Sequence, residues 1–368
     1  MIEIMCDLDC IWSRVRSHPI IRFSFMISVL IIYISTCSII SDQKPYIIFS
    51  QKRLNTSYLC TVCRSEEFHQ GRSYDNEDVD ILDCFFSRIS YFTGNGGVIF
   101  ISGEGFSMNV SHSMFYKCTC TNTGGAIYFF NSTNSSLRMI CSNECSALSY
   151  DHFAYLHPCI FNKVEFLSVS SCSPVSTGYY CVHLRDGYQK IQNMNSSLNK
   201  AKWVSGVYIS SPFTFASSFC TFSNNNASEY ICIRFYSCAG EMSFTNIVHN
   251  NSPSLGVVLV FGSASTKLNH CIINSNQNTL FYVESGSLEV SNSEIYHSGQ
   301  FSSSINVVTS SNNTIDPIYP PERRRTIQII HFNSHFCNAD NPIIDPKYTS
   351  HSRTSYIHYF GLVMTLVK

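Results

Sequence analysis

Short apolar runs alternate with turns rich in glycine, serine and asparagine, and this order recurs from about Asp83 to Cys337. Nine copies of the first run can be aligned, with neighbouring copies about 23 to 28 residues apart, a period typical of solenoids. The copies begin at Gly96, Gly124, His152, Gly178, Gly206, Ser228, Gly256, Thr279 and Ser304.

Two further runs follow in each copy. The second alternates apolar and polar residues, as in Leu137-Arg138-Met139 and Leu288-Glu289-Val290, which is typical of a strand with one buried face. The third places asparagine behind an aromatic residue or cysteine, as in Phe222-Ser223-Asn224-Asn225. Three short strands per period, all repeated in one sense, cannot close as hairpins. The pattern therefore predicts an all-β, single-stranded parallel β-helix of about nine or ten coils.

The turn before the first run carries the most regular motif, Gly96-Gly97-Val98-Ile99 in one copy and Gly124-Gly125-Ala126-Ile127 in the next. Glycine accepts positive φ and lets one backbone pass close to another. Asparagine tolerates left-handed turns, and stacked Asn side chains can hydrogen-bond from coil to coil. We therefore expect Gly96, Gly97, Gly124, Gly125, Ala126 and Ile127 to mark the repeat turn.

The start of the chain has the pattern of a secretory signal. Arg14, Arg16 and Arg22 precede the apolar run 23–34, and small residues follow it. A cleaved signal peptide is favoured, and a retained signal-anchor that holds the chain in a membrane stays open, because the apolar reach 20–40 is nearly long enough to span a bilayer. Both interpretations place the rest of the chain outside the cytoplasm.

This organisation predicts four segments: residues 1–41 as signal peptide or signal-anchor, 42–82 as an N-terminal cap, 83–337 as the β-helix, and 338–368 as a linker with a short apolar tail. Charged residues make up 13% of the chain and the net charge is −1, so no electrostatic footprint for nucleic acid is present. The low charge suits a β-rich body with uncharged polar turns.

Cysteines and glycosylation sequons agree with an extracellular or cell-surface location. Of 18 cysteines, Cys6, Cys10 and Cys37 lie in the predicted signal segment and 15 lie beyond it, a usage that suits an oxidising compartment. We interpret Cys60-x-x-Cys63 as structural disulfide cysteines, because two further zinc ligands are not evident nearby. Sequons predict candidate glycans at Asn55, Asn109, Asn131, Asn134, Asn195, Asn226, Asn250 and Asn312.

Two tetrapeptide motifs mark the repeat turn, Gly124-Gly125-Ala126-Ile127 and Gly96-Gly97-Val98-Ile99, and a spaced motif occurs as Phe92-x-x-Asn95 and Phe222-x-x-Asn225. These motifs resemble the repeats of chlamydial polymorphic membrane proteins. They are also similar to related surface-protein families of trichomonad protists. The resemblance covers roughly Asp83 to Cys337 and the secretory start. It implies a right-handed parallel β-helix displayed outside the cell, with roles in adhesion.

Candidate chemistry is sparse. A glycosidase needs two carboxylates about 5 to 9.5 Å apart on one groove, whereas Glu165 and Glu289 alternate with apolar neighbours and are expected to point outward singly. The histidines, including His270 beside Cys271, are spread over many coils. We therefore predict no catalytic, cofactor-binding or metal-binding residue. A pectin lyase-like polysaccharide lyase or glycosidase is the alternative.

The predicted function is non-catalytic: a secreted or cell-surface protein for adhesion, host interaction or coat structure. Aromatic residues make up 14% of the chain, and exposed rings on a flat β face can stack on sugars or receptors. We therefore expect a host or cell-surface glycan or protein as ligand, and no nucleic acid.

Overall fold

The computed structural model describes residues 48–54, 57–63, 72–75, 78–82, 84–91, 94–173, 177–263, 265–302, 306–309, 312–316 and 326–332. The predicted signal segment and the C-terminal linker and tail lie outside these residues. Every regular element in the described part is a β-strand. The strands from Arg72 onward pair with one another only in parallel. The strands stack as a parallel β-solenoid, which confirms the predicted fold class.

Three parallel ladders form the walls of the solenoid. The first ladder contains β3 (Arg72–Asp75), β7 (Ile99–Ser102), the starts of β10 (Ile127–Asn143) and β12 (Asp151–Ser170), β13 (Tyr180–Arg185), β17 (Val204–Ser210), β21 (Ile231–Tyr236), β24 (Val258–Phe261) and β27 (Phe281–Val283).

The second ladder contains β4 (Val79–Leu82), the start of β8 (Ser107–Tyr116), the middle of β10 and β12, β14 (Tyr188–Gln192), β18 (Thr214–Ser218), β22 (Gly240–Ser243), β25 (Ser265–Asn269), β28 (Ser287–Ser291) and β30 (Val307–Thr309). The third ladder contains β5 (Phe85–Ser87), the ends of β8, β10 and β12, β15 (Asn195–Ser197), β19 (Thr221–Ser223), β23 (Asn246–Val248), β26 (Ile272–Asn274), β29 (Glu294–Tyr296) and β31 (Thr314–Asp316).

The remaining strands are short or lie at the first rung. Two small parallel sheets line the corner after the third ladder; they contain β6 (Ser90–Tyr91), β9 (Thr119–Cys120) and β11 (Ser146–Ala147), and β16 (Lys200–Ala201) with β20 (Asn226–Ala227). β1 (Ile48–Leu54) pairs antiparallel with both β2 (Ser57–Cys63) and β4. An antiparallel hairpin thus lies on the first rung of the second ladder, inside the segment predicted as the N-terminal cap.

The core is a set of columns in which apolar side chains stack on their equivalents in the next coil. In the first ladder one inward column contains Phe129, Leu156, Leu184, Ile209 and Phe235, all fully buried. Alternate residues point outward, as the alternating burial of β7 and of the end of β21 shows. Because strand side chains alternate between faces, the period of two in the sequence is what assigns each residue to the core or the outside.

Corners between ladders depend on single residues in the left-handed conformation, and most of them are not glycine. After the second ladder the corner column contains His112, Met139, Phe166, Asn193, Phe219, Phe244, His270 and Asn292. Left-handed backbone costs a non-glycine residue roughly 1–2 kcal/mol. Each coil offsets part of this cost with a hydrogen bond to the next, such as the one from Phe219 N–H to the Ser243 carbonyl, 3.2 Å.

Glycine serves the corner before the first ladder. Gly124 has φ +69°, and a Cβ added at Gly125 would meet the His152 carbonyl oxygen at 2.1 Å. The two glycines therefore meet different needs, a left-handed turn at Gly124 and close approach of the next coil at Gly125. Gly96 and Gly97 repeat the arrangement one coil earlier, with φ +65° at Gly96 and the Gly125 carbonyl oxygen 2.1 Å from a Cβ at Gly97.

A buried asparagine column follows the third ladder. Asn225 Oδ1 accepts from the Asn199 backbone N–H at 3.1 Å, and Asn225 Nδ2 donates to the Ser196 carbonyl at 2.8 Å. Asn250 and Asn276 repeat both bonds on the following coils. Each amide thereby satisfies two backbone groups of the coil before it, which no strand pairing reaches.

Residues 326–332, which we call the strap, run back along the outside of the third ladder. The Ile327 N–H donates to Asn246 Oδ1 at 2.8 Å, Asn246 Nδ2 donates to the Ile327 carbonyl at 2.8 Å, and His331 Nε2 lies 2.7 Å from Thr221 Oγ1. Ser168 donates to the Phe332 carbonyl. The alternation in Ile327-Gln328-Ile329 indicates, from the sequence alone, a strand of the last coil. The run instead crosses earlier coils, because its hydrogen bonds go to outward side chains of the third ladder.

We expect Asn225→Ala to destabilise the fold by about 2–4 kcal/mol, because it leaves the Asn199 N–H and the Ser196 carbonyl buried without a partner. Asn109→Ala, at an exposed strand position, is the matched control and should change stability by less than about 0.5 kcal/mol. Chemical denaturation of both variants measures the difference. Equal midpoints would mean that the asparagine column is dispensable.

Acid should weaken the fold through two buried histidines. Burial lowers the pKa of His152 and of His331 to about 4, whereas unfolded histidine titrates near 6.5. The unfolded chain therefore binds more protons once the pH falls below about 6.5, and stability should decrease from there to about pH 4, by up to about 3 kcal/mol for each histidine.

Denaturation midpoints measured across pH 7 to 4 test this expectation. His331→Asn should remove about half of the acid-dependent loss. An unchanged pH profile in that variant would show that His331 does not contribute.

Candidate binding face

The three outer faces of the solenoid differ in chemistry. The second ladder exposes charged side chains in ion pairs, such as Lys163–Glu165 and Lys267–Glu289, both at 2.9 Å. The strap lies on the third. The first ladder presents a column of mostly aromatic side chains, which we call the aromatic face; it contains Phe100, Tyr128, Tyr155, His183, Tyr208, Arg234, Leu259 and Tyr282.

Rings of the aromatic face stack on one another along the ladder. The ring centroids of Phe100 and Tyr128 are 5.2 Å apart at an interplanar angle of 6°, and Tyr155 continues the stack at 5.3 Å from Tyr128. The imidazole of His183 stacks on Tyr208 at 4.3 Å. Because each ring covers its neighbour, the column turns ring edges outward. Stacking of sugars on open ring faces, expected from the aromatic content, is therefore not what this column offers.

Arg234 is the cation of the aromatic face. Its guanidinium carbon lies 4.8 Å from the Tyr208 ring centroid, 5.7 Å from Tyr236 and 5.6 Å from Phe261. Nε of Arg234 is buried without a hydrogen-bond partner, and within the described part of the chain Arg234 makes no ion pair. A positive charge held by rings alone can still receive a carboxylate.

An outer apolar cluster surrounds Arg234. Val204, Tyr208, Ile231 and Leu259 are buried outside the main core, and half-buried aromatic residues pack around them. These packing residues are Tyr180, Trp203, Tyr230, Tyr236, Phe261 and Tyr282, together with Leu255. The face thus combines fixed rings with an unpaired arginine, the residue types enriched at the centres of protein interfaces.

Three polar residues on successive coils form a chain beside the aromatic face. Asp151 Oδ1 lies 3.4 Å from His183 Nδ1, and His183 Nε2 lies 2.8 Å from Ser210 Oγ. Burial raises the pKa of Asp151, and the contact with His183 opposes that rise. The connectivity matches that of a serine hydrolase triad. The sequence does not indicate that these three residues meet, because they are 27 or more residues apart.

The geometry of Ser210 argues against nucleophilic catalysis. Ser210 is only 4% exposed. The amide that follows it, Ser211 N–H, is already bonded to the Tyr236 carbonyl at 2.8 Å, so it cannot stabilise an oxyanion. Asp151, His183 and Ser210 instead join three coils by buried polar contacts.

The predicted surface carboxylates lie apart from one another in ion pairs. Glu165 pairs with Lys163 and Glu289 with Lys267, and Asp186 lies 3.7 Å from Arg185 Nε and 2.5 Å from His157 Nε2. Among the residues the structure describes, no group of three or more His, Cys, Asp or Glu side chains could hold a metal ion. In the same residues, no helix is long and apolar enough to cross a membrane.

The candidate glycosylation sites differ in burial. Asn109, Asn226 and Asn312 are exposed, Asn131 and Asn134 are half-buried, and Asn195 and Asn250 are fully buried. Asn250 belongs to the asparagine column, and a glycan on its Nδ2 would disrupt the hydrogen bonds that this atom donates to the Phe222 carbonyl and to Asn276 Oδ1. The side chain of Asn55 is outside the described part.

Sequence reasoning missed the aromatic face, although a signal for it exists. The first runs repeat an apolar–tyrosine–apolar word, as in Ile127-Tyr128-Phe129, Ala154-Tyr155-Leu156, Val207-Tyr208-Ile209 and Phe281-Tyr282-Val283. Since the flanking residues are buried, the tyrosine between them must point outward. The repeat of that word predicts a tyrosine column.

No protein-family model, curated protein or solved structure matches the chain.

We expect glycans on a secreted form of the chain at Asn109, Asn226 and Asn312, and none at Asn195 and Asn250, because the folded chain has no room at the latter two. Mass spectrometry of glycopeptides after enzymatic deglycosylation in ¹⁸O water reports occupancy at each site. Occupied Asn250 in the folded protein would contradict the buried asparagine column.

Proposed function

We propose that this protein is a secreted or cell-surface β-solenoid that serves adhesion, host interaction or coat structure, and that it binds its ligand through the aromatic face. The observation that carries the proposal is the outer apolar cluster with Arg234 at its centre, because these rings lie outside the main core. Half-buried aromatic residues that pack around an arginine are the residue types enriched at the centres of protein interfaces.

The ligand that fits best is a protein with an acidic side chain. The stacked rings of Phe100, Tyr128 and Tyr155 form a continuous column, and Arg234 offers a charge that no described carboxylate neutralises. Arginine and tyrosine together carry much of the energy of protein interfaces. A glycan stacked on open rings fits this column less well, because the ring faces already pack against one another.

The resemblance to polymorphic membrane proteins supports a role at the cell surface. The motif residues Gly96, Gly97, Gly124 and Gly125 occupy equivalent turns of neighbouring coils, as a repeat word of that family would. The secretory pattern at the start of the chain, the cysteine content and the exposed sequons support the same location. Membership in the family, right-handed coiling and surface display are parts of this proposal.

Catalysis on polysaccharide, the alternative drawn from the sequence, has no specific observation in its favour. On the polar second ladder Glu165 and Glu289 are each held by a lysine, and Glu241 accepts from Asn269 Nδ2 at 3.0 Å.

Antibody binding to the intact chain on unpermeabilised cells tests the location, and we expect labelling without detergent. Purified full-length chain is then applied to two arrays, one of cell-surface proteins and one of neutral and acidic glycans. Arg234→Gln should weaken binding to the protein array about tenfold, the loss expected for an interface arginine of roughly 1.4 kcal/mol.

Lys267→Gln is the matched control, because it removes one positive charge from the polar second ladder, and it should leave binding unchanged. Labelling only after permeabilisation would overturn the proposed location. Equal binding by the two variants would overturn the aromatic face as the site, and binding to the glycan array alone would overturn the class of ligand.

A further inference from the structure

Four buried thiols form a continuous chain inside the solenoid. Cys118, Cys145 and Cys172 occupy the same position in three successive coils, directly after the third ladder, and all three are fully buried. The coils that carry them are in contact, because the Ser146 N–H donates to the Cys118 carbonyl at 2.9 Å and the Ser173 N–H donates to the Cys145 carbonyl at 3.0 Å. The Cys145 thiol lies close enough to Cys118 and Cys172 to add to the rise in their pKa that burial causes, and Cys181 does the same for Cys172. All four are reduced in the structure.

These cysteines stand where the later coils have asparagine. The Cys172 backbone N–H donates to Asn199 Oδ1 at 2.9 Å, so the thiol column and the asparagine column are one column with two chemistries. A thiol replaces the amide poorly, since Cys145 Sγ reaches the Phe115 carbonyl only at 3.6 Å and sulfur is a weak hydrogen-bonding atom. Coils before Asn199 therefore lack the strong side-chain bonds of the coils after it.

Spacing in this column permits covalent bonds. Successive rungs of a parallel stack are about 4.8 Å apart, within the roughly 4.4 to 6.8 Å between Cα atoms that a disulfide requires. The contacts run in a line, Cys118 to Cys145 to Cys172 to Cys181. Only one pairing uses all four thiols, because each end of the line has a single neighbour.

We propose that this column carries two disulfides, Cys118–Cys145 and Cys172–Cys181, when the chain folds in an oxidising compartment. The first would join two successive coils, and the second would close the segment that leads from the third ladder back to the first. The chain already holds one disulfide, at Cys141, and none of the four column cysteines is part of it, since all four are free.

Each bond forms by thiol–disulfide exchange with a small disulfide such as glutathione disulfide. One thiolate attacks a glutathione sulfur and releases glutathione; the second cysteine then attacks the mixed disulfide and releases another, so two thiols lose two hydrogens in total. Burial raises the pKa of Cys118 and Cys172 well above the ordinary thiol value, whereas at Cys145 burial is outweighed by the neighbouring thiols, which lower the pKa. All four thiols are fully buried in the folded chain and exchange requires direct attack on glutathione disulfide, so both bonds must form while the coils are still closing.

Other buried cysteines provide an internal control. Cys220, Cys232 and Cys271 are as deeply buried, but within the described part of the chain the hydrogen-bond contacts of their thiols are with hydroxyl and backbone groups. They should stay reduced under conditions that oxidise the column.

The test is to refold the full chain in a glutathione redox buffer, block free thiols with N-ethylmaleimide in denaturant, and map the cross-linked peptides by mass spectrometry without reduction. We expect the Cys118–Cys145 and Cys172–Cys181 cross-links, with maleimide on Cys220, Cys232 and Cys271. Cys145→Ser should leave Cys118 reactive and keep Cys172–Cys181. If that variant does not fold, the map of the unaltered chain decides alone.

Maleimide on all four column cysteines would overturn the proposal, and so would a Cys145–Cys172 cross-link. Oxidation of the three control cysteines to an equal extent would overturn it as well, because the column would then have no special reactivity. The measurement uses no ligand and no cell, so its outcome is separate from that of the binding test.

Discussion

The structure depends on backbone and side-chain hydrogen bonds that repeat in register from one coil to the next. Strand pairing satisfies the flat walls, but a solenoid also turns corners, where the backbone leaves the ladder. Two devices satisfy it there: left-handed corner residues, whose N–H groups donate to the next coil, and the asparagine column, whose amides bond to the coil before. Asn225 is an example of the second device, since its side chain accepts from the Asn199 N–H and donates to the Ser196 carbonyl.

Because the interior is filled by stacked columns, the outside of each wall is free to differ. The second ladder carries exposed ion pairs, the third is crossed by the strap, and the first carries rings and Arg234. An outward residue in a strand is limited by its rung neighbours rather than by the core. Aromatic residues that recur at one such position stack on one another, so the aromatic face is a by-product of the same periodicity that builds the core.

The fold could be predicted from the sequence because it follows from a short-range repeat of apolar and polar residues. Alternation around Leu137 and Val164 distinguishes buried from exposed positions without knowledge of distant contacts. Asn225 is part of a Phe-x-x-Asn motif in the sequence, whereas Asn199 and Asn250 lie in copies of the repeat that lack this motif. Corner residues escaped prediction because Lys117, Phe219 and His270 share a backbone conformation and nothing else. The strap was not predicted because Ile327-Gln328-Ile329 has the same alternation as a strand. A local pattern does not show which part of the protein a segment packs against.

The candidate site was less predictable than the fold. Asp151, His183 and Ser210 meet only because three coils stack in register, and Arg234 acquires its ring neighbours in the same way. The thiol column was within reach of the sequence, since Cys118, Cys145 and Cys172 follow one another at intervals of one coil. Its meaning requires the contacts, because equal spacing alone does not tell a stacked column from a set of surface residues.

The strap also has a consequence for biosynthesis. Coils bond mainly to their immediate neighbours, so the wall can assemble rung by rung as the chain emerges from the ribosome. Hydrogen bonds of the strap instead join residues 81 to 164 positions apart, and they can form only after the last rung has been synthesised. Until then, the outward polar groups of the third ladder face water. Docking of this late segment is therefore the step that covers those groups, and it follows the stacking of the coils rather than accompanying it.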